Sequence, residues 1–287
     1  MRLRLRMAAL AVGMSFAVLP LQARAQAPCS IKTITGTYAA QIGGSAFAGD
    51  LVTAGVPYRL TGGVASLVAR VTVAADGSVQ GPMWGVFVAE PVEGPYLAHV
   101  TVNPDCTGQW VDPDYSFRFV VLEQGEEIRS IAWEGVFNGG IQTWHRITRA
   151  ADPAPRCGQH SFRGNYAMRC EGYELTGEGS GLASASMLFV LSAADGAMTG
   201  RMYASRFGLP FPAVTESGVS GTYAVHDDCT LDGDMSLDVL PGLAYRTRGV
   251  LFDQGKQAVG LPLGIYAGDT FVAPVLPLRC DMTRLGQ

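Results

Sequence analysis

The feature that most constrains this chain is an internal repeat. Cys29 stands seven positions before Gly36-Thr37-Tyr38, and Cys157 stands seven before Gly164-Asn165-Tyr166. Downstream, Ala74-Ala75-Asp76-Gly77 matches Ala193-Ala194-Asp195-Gly196, and Asp105-Cys106-Thr107 matches Asp228-Cys229-Thr230. Leu122-Glu123-Gln124-Gly125 matches Phe252-Asp253-Gln254-Gly255. Anchors kept in one order mark two copies of one fold, and the unequal gaps between them are loop-length differences. Ala150-Ala151-Asp152-Pro153-Ala154-Pro155 reads as a short, stiff linker. The chain therefore divides into a first unit at 28–149, a linker at 150–155 and a second unit at 156–287. Each unit has roughly 120–130 residues, enough for its own core.

Strand signals run through both copies. Ala65, Leu67, Ala69, Val71 and Val73 alternate with Ser66, Arg70 and Thr72, the period of a half-buried strand. Asp76-Gly77 and Asp195-Gly196 then supply hairpin turns, because glycine tolerates the positive φ such turns need. No stretch keeps a 3.6-residue apolar period with caps. The 36 glycines and 16 prolines are turn punctuation for many short strands. The expectation is an all-β protein of two tandem antiparallel barrel-like domains, about eight strands each, with β-sandwiches as the alternative. Closure favours the barrel, since it removes sheet edges that an exported protein would otherwise have to protect.

Residues 1–25 read as a secretory signal. Arg2, Arg4 and Arg6 precede an apolar run from Met7 to Leu21, and Ala23-Arg24-Ala25 forms a small-x-small cleavage site. The mature chain would begin at Gln26, in the periplasm or outside the cell. The apolar run is shorter than the ~20 residues a membrane span requires, and no later segment supplies one. Of 21 basic and 25 acidic side chains, the signal removes four arginines and no acid, leaving 17 against 25 and a net charge of −8. That argues against nucleic acid, whose binding needs a basic patch, as a partner.

All six cysteines lie in the exported part, where an even count points to disulfides. The repeat equates Cys29 with Cys157 and Cys106 with Cys229, which suggests the bonds Cys29–Cys106 and Cys157–Cys229. Cys170 and Cys280 remain, and would join the first and last strands of the second copy where a closing barrel makes them neighbours.

Gly36-Thr37-Tyr38, Asp76-Gly77 with Gly81, and Val102-Asn103-Pro104-Asp105-Cys106-Thr107-Gly108 together resemble a group of exported bacterial β-proteins of allene-oxide-cyclase-like or calycin type. The resemblance implies a small closed sheet around an apolar pocket. It covers most of both copies, although Asn165 and Leu231 depart from it in the second. The matched positions are turn residues, so no catalytic residue is carried over, and the group includes both cyclases and plain ligand carriers.

No catalytic or metal signature emerges from the residues themselves. His99, His145, His160 and His226 lack metal-ligand spacing. Asp227, Asp228, Asp232, Asp234 and Asp238 do not follow a calcium loop and read as solvated turns. Ser180 has no nucleophile-elbow spacing. No cofactor is expected. Aromatic strand faces give the strongest hint: Trp84 with Val86, Phe119 and Trp133 in the first copy, and Tyr203 in the second, are candidates to line a barrel interior. The leading expectation is an exported binding protein that holds an apolar small molecule in a barrel, with the first copy favoured. The alternatives are a cyclase- or isomerase-type enzyme using the same pocket, and a structural or adhesive envelope protein with filled barrels.

Overall fold

The structure, a computed structural model, describes residues 28–286 apart from 47–48, 54–55, 61–62, 88–89, 113–114, 136, 154–155, 177–180, 208–213 and 274–277. The expected signal at 1–25 and the N-terminus at Gln26 lie outside the described residues.

The first copy contains β1 (Gly36–Ala46), β2 (Gly49–Thr53), β3 (Val56–Leu60), β4 (Gly63–Val73), β5 (Ser78–Phe87), β6 (Glu90–Val102), β7 (Thr107–Val111), β8 (Tyr115–Leu122), β9 (Glu127–Gly135) and β10 (Phe137–Arg149). β1 pairs with β10 on one side and β4 on the other, so strands β1 and β4–β10 close an eight-stranded antiparallel barrel. β2 and β3 form a separate hairpin. The second copy contains β11 (Gly164–Thr176), β12 (Gly181–Ala194), β13 (Ala197–Phe207), β14 (Val214–Val225), β15 (Thr230–Leu237), β16 (Ala244–Phe252), β17 (Gln257–Ala267), β18 (Thr270–Ala273) and β19 (Leu278–Arg284). Pairings β16–β17, β17–β19 and β19–β11 close the second eight-stranded barrel, with β18 hydrogen-bonded to β17 as an added arm. The chain is thus two closed antiparallel barrels in tandem.

The repeated anchors converge at one end of each barrel. Cys29–Cys106 and Cys157–Cys229 tie the N-terminal segment of each copy to the turn before β7 and β15. Those turns put Cys106 and Cys229 at φ 66° and 71°, and an aspartate in each (Asp105, Asp228) accepts from the backbone and hydroxyl of Thr107 or Thr230. The tied segments plug the barrels: Ile34 and Phe162 are buried in the two cores. Across each plug, Tyr38 Oη donates to Gly125 O and Tyr166 Oη to Gly255 O, both at 3.0 Å. Gly125 and Gly255 are forced to be glycine. Each has positive φ, and a Cβ there would sit 2.2 Å from Thr33 O or 2.0 Å from Ser161 O. Arg146 and Arg284 complete the corner. Arg146 lies over the Tyr38 ring and donates to Gly125 O, Thr35 O and Thr33 O. Arg284 lies over Tyr166 and donates to its hydroxyl and to Ser161 O.

The two aspartate–glycine turns differ. Asp195-Gly196 is a two-residue hairpin, with Ala194 paired to Ala197 and φ 50° and 87° at its tip. The Asp76-Gly77 turn is longer, since Val73 pairs with Val79 and Asp76 accepts from Ser78.

The barrels pack side against side. Ala39, Val68, Trp84 and Val86 from β1, β4 and β5 meet Val250, Phe252, Val259 and Leu261 from β16 and β17 in a separate buried cluster. Polar contacts frame it: Gln41 Nε2 donates to Cys280 O at 3.3 Å, and Ser66 Oγ to Leu278 O at 3.2 Å. Arg248 reaches across to Glu93 at 3.1 Å and lies over the Trp84 ring. Trp84 and Val86 were expected to line a barrel interior. They point the other way, because β5 is buried on both faces and its inward positions are held by Val79 and Met83.

Candidate functional site

The two interiors differ although their closing corners match. In the first barrel, Tyr38, Tyr96, Trp110, Phe117, Phe119 and Trp144 form one packed aromatic group. Trp110 and Trp144 ring centroids are 4.4 Å apart, and Trp110 and Phe117 5.1 Å apart. Phe119 therefore lies inside, packed in the first core. Trp133 stands in β9, and its side chain lies outside the described residues. Tyr203, on β13, is 39% exposed on the outer face and lines neither interior.

Counting from the repeated anchors shows what the second barrel has in place of those rings. Four residues after the turn cysteine, Trp110 becomes Gly233. Six before the corner glycine, Phe119 becomes Gly249; three and five after it, Ile128 becomes Ala258 and Ser130 becomes Gly260. Two before the corner arginine, Trp144 becomes Met282. Gly249 and Gly260 face each other across β16 and β17. The large side chains of β17, Val259 and Leu261, point instead into the contact between barrels. Small residues inward and large ones outward leave the second interior underfilled.

The result is a cavity of about 60 Å³ walled by Gly233, Gly249, Ala258, Gly260 and Pro262. Its remaining lining is mostly apolar and rich in methionine: Met168, Met187, Met198, Met235 and Met282, with Phe189 and Leu237. The Cys170–Cys280 disulfide also lines it, joining residues paired directly across β11 and β19. That volume is room for more than one water, since ~10–15 Å³ measured in this way admits one. It is well below the ~300–1,000 Å³ of pockets for drug-sized ligands. Methionine has three rotatable bonds and a polarisable sulfur, so this wall can be reshaped more easily than one of aromatic rings.

Polar groups elsewhere carry structural tasks. His226 Nε2 is 2.9 Å from Asp232 Oδ2, and Arg248 Nε is 2.6 Å from Asp232 Oδ1. Burial alone would raise the Asp228 carboxyl, but its Thr230 hydrogen bonds win and hold it below the ordinary range. The acidic cluster is therefore a capped turn and a set of ion pairs. Among the described residues, no group of His, Cys, Asp and Glu is placed to hold a metal ion, and no helix is long and apolar enough to cross a membrane. The corner arginines and tyrosines were missed as a unit. The Gly-x-Tyr and Gln-Gly motifs were visible in the repeat, but nothing in the local sequence of Arg146 or Arg284 marks it as their partner.

No protein-family model matches the chain, and neither does any curated protein. Among solved structures, a protein of unknown function from the DUF3598 family of Nostoc punctiforme aligns with 88% of this chain and 97% of its own length, at 11% identity and a TM-score of 0.24. The Myxococcus xanthus hemagglutinin, solved with a3,a6-mannopentaose, aligns with 88% of this chain and 100% of its own, at 13% identity and a TM-score of 0.15. Likenesses this low carry no argument about activity. The resemblance drawn from the turn motifs holds at the level of a barrel protein.

Proposed function

We propose that this chain is an exported binding protein whose second barrel holds a small apolar molecule. One observation carries the reading: the Gly- and Met-lined cavity, at positions where the first copy places aromatic rings and Ile128. Apolar cavities of this kind stay dry and take up apolar guests. The three disulfides fit an oxidising compartment. The resemblance to calycin-type barrels, with a closed sheet around an apolar pocket, points the same way. A guest larger than the present space is admitted by rotation of the methionines. Met187 and Met282, which are only partly buried, are the first to move.

Titration with toluene, followed by the methyl NMR signals of the methionines, tests the proposal. Saturable shifts at Met168, Met198 and Met235 are expected, and Ala258→Ile should abolish them by restoring the bulk that Ile128 supplies in the first copy. Absence of saturable shifts in the wild-type chain would leave the filled-barrel, structural reading as the better one.

A further inference from the structure

A stack of rings in the first barrel has no counterpart in the second. Trp110 packs on Phe117 and Phe119, with centroids 5.1 and 6.1 Å apart, and on Trp144 at 4.4 Å. Trp110 pairs with Phe117 across β7 and β8, and Gly108 with Phe119. In the second barrel the same ladder pairs Gly233 with Thr247 and Leu231 with Gly249 across β15 and β16. Strand register thus repeats the equivalence read from the anchors. Trp110, Phe117 and Phe119 become Gly233, Thr247 and Gly249, and Trp144 becomes Met282. All of these replacements line the second cavity. Methionines border the same space: Met168 and Met282 pair directly across β11 and β19, and the Met198 methyl lies 3.4 Å from where a Cβ on Gly233 would stand.

Among these replacements Thr247 brings a hydroxyl. Its Oγ1 donates to Gly233 O at 2.9 Å and stands 2.9 Å from where a Cβ on Gly233 would be. The hydroxyl therefore sits at the root of the space that the Trp110 side chain takes in the first copy. A threonine hydroxyl has one proton and two lone pairs, so with its proton on Gly233 O it is left as an acceptor. We infer that the second barrel selects a single neutral aromatic ring bearing one hydroxyl, a compound of the phenol class, with its ring against the methionines and its O–H donated to Thr247 Oγ1. The inference rests on the second barrel being a binding site and names what that site takes.

Each part of that chemistry has its own ground. The ring follows from the comparison of the copies, since the same framework closes around stacked rings in the first barrel. It follows also from the wall, because thioether sulfur makes favourable contacts with aromatic rings that a saturated ring of equal size cannot offer. The donor follows from Thr247. Neutrality follows from Arg248, which borders the cavity but turns its guanidinium to Asp232 at 2.6 Å and Glu93 at 3.1 Å, leaving a ligand carboxylate without a counter-charge. Size sets the limit. A space of about 60 Å³ can be widened by methionine rotation for one ring, but a long acyl chain or a fused ring system needs a pocket of another class, ~300 Å³ or more.

The test titrates the full-length, disulfide-bonded chain with phenol, toluene and cyclohexanol, read from the methionine methyl signals. Cyclohexanol keeps the hydroxyl without the aromatic ring, and toluene keeps the ring with a methyl in place of the hydroxyl. Phenol is expected to bind about fivefold or more tightly than cyclohexanol. Thr247→Val should weaken phenol by about fivefold relative to toluene, and Thr247→Ser should keep the wild-type ratio. Should Thr247→Val fail to fold, the comparison of phenol with cyclohexanol in the wild-type chain still decides. Toluene binding with phenol no tighter than cyclohexanol, or a phenol-to-toluene ratio indifferent to Thr247→Val, would overturn the inference and leave the second barrel as a general apolar site. No saturable shift with any of the three would overturn both.

Discussion

The two barrels share a closing corner and differ in what that corner encloses. Cysteine, tyrosine, glycine and arginine take the same places at both closed ends, down to equal 3.0 Å tyrosine hydrogen bonds. Inside, the first barrel stacks Trp110, Trp144 and Phe119 where the second has Gly233, Met282 and Gly249. A barrel fold is therefore specified at its end, by backbone contacts few residues can satisfy, while its interior is free to change. The copy that keeps its rings has buried polar donors among them. The copy that lost them has gained space and flexible sulfur-bearing side chains.

This contrast can be broken by substitution. The largest effect is expected from Trp110→Ala. It should destabilise the first barrel by about 3–5 kcal/mol in chemical denaturation, as large-to-small changes in packed aromatic cores do. Replacing both Cys170 and Cys280 by alanine should cost about 2–5 kcal/mol, since the bond closes a long loop. The same change should loosen the wall of the second cavity and weaken toluene binding. A smaller difference separates the corner arginines. Arg146→Met should cost about 2–3 kcal/mol, because a charged donor to three carbonyls is lost from a side chain only 4% exposed. Arg284→Met should cost less, because Arg284 bonds one carbonyl and one hydroxyl and is only partly buried.

The smallest expected effect sharpens the view of the contact between barrels. His145 of the first barrel stacks on Phe252 of the second, with ring centroids 4.7 Å apart and planes 2° from parallel. Desolvation lowers the His145 pKa, and Arg129 adds to that, while Glu127 and Asp281 oppose it. A histidine with a lowered folded pKa binds its proton more readily when unfolded. Its contribution is therefore intact above the unfolded value of about 6.5 and is lost as pH falls from there toward the folded value. A modest drop in melting temperature below about pH 6.5 is expected, and His145→Gln should flatten it.

Much of the fold was legible in the sequence, and the reason is local. Turn chemistry and cysteine spacing recur in both copies, which was enough for the eight strands and the two equivalent disulfides, and the two cysteines left over gave the third. Face assignment was harder. The alternation around Trp84 and Val86 shows that they share a face, but not whether that face meets an interior or another barrel. Strands buried on both sides lose the polar half of the pattern that would decide. In β17 the order Val259-Gly260-Leu261-Pro262-Leu263-Gly264-Ile265 carries the same ambiguity: its large residues look like an inward face, yet Val259 and Leu261 pack against the neighbouring barrel. The cavity was hidden for that reason, since it arises where the small residues are the inward ones.

A xenon-pressurised crystal tests the central contrast most directly, because an apolar cavity takes up xenon and a filled core does not. One xenon atom is expected in the second barrel, bounded by Gly233, Gly249, Gly260 and the Met235 sulfur, with none among Trp110, Trp144 and Phe119. A second barrel without xenon, or xenon among the rings of the first, would contradict the account.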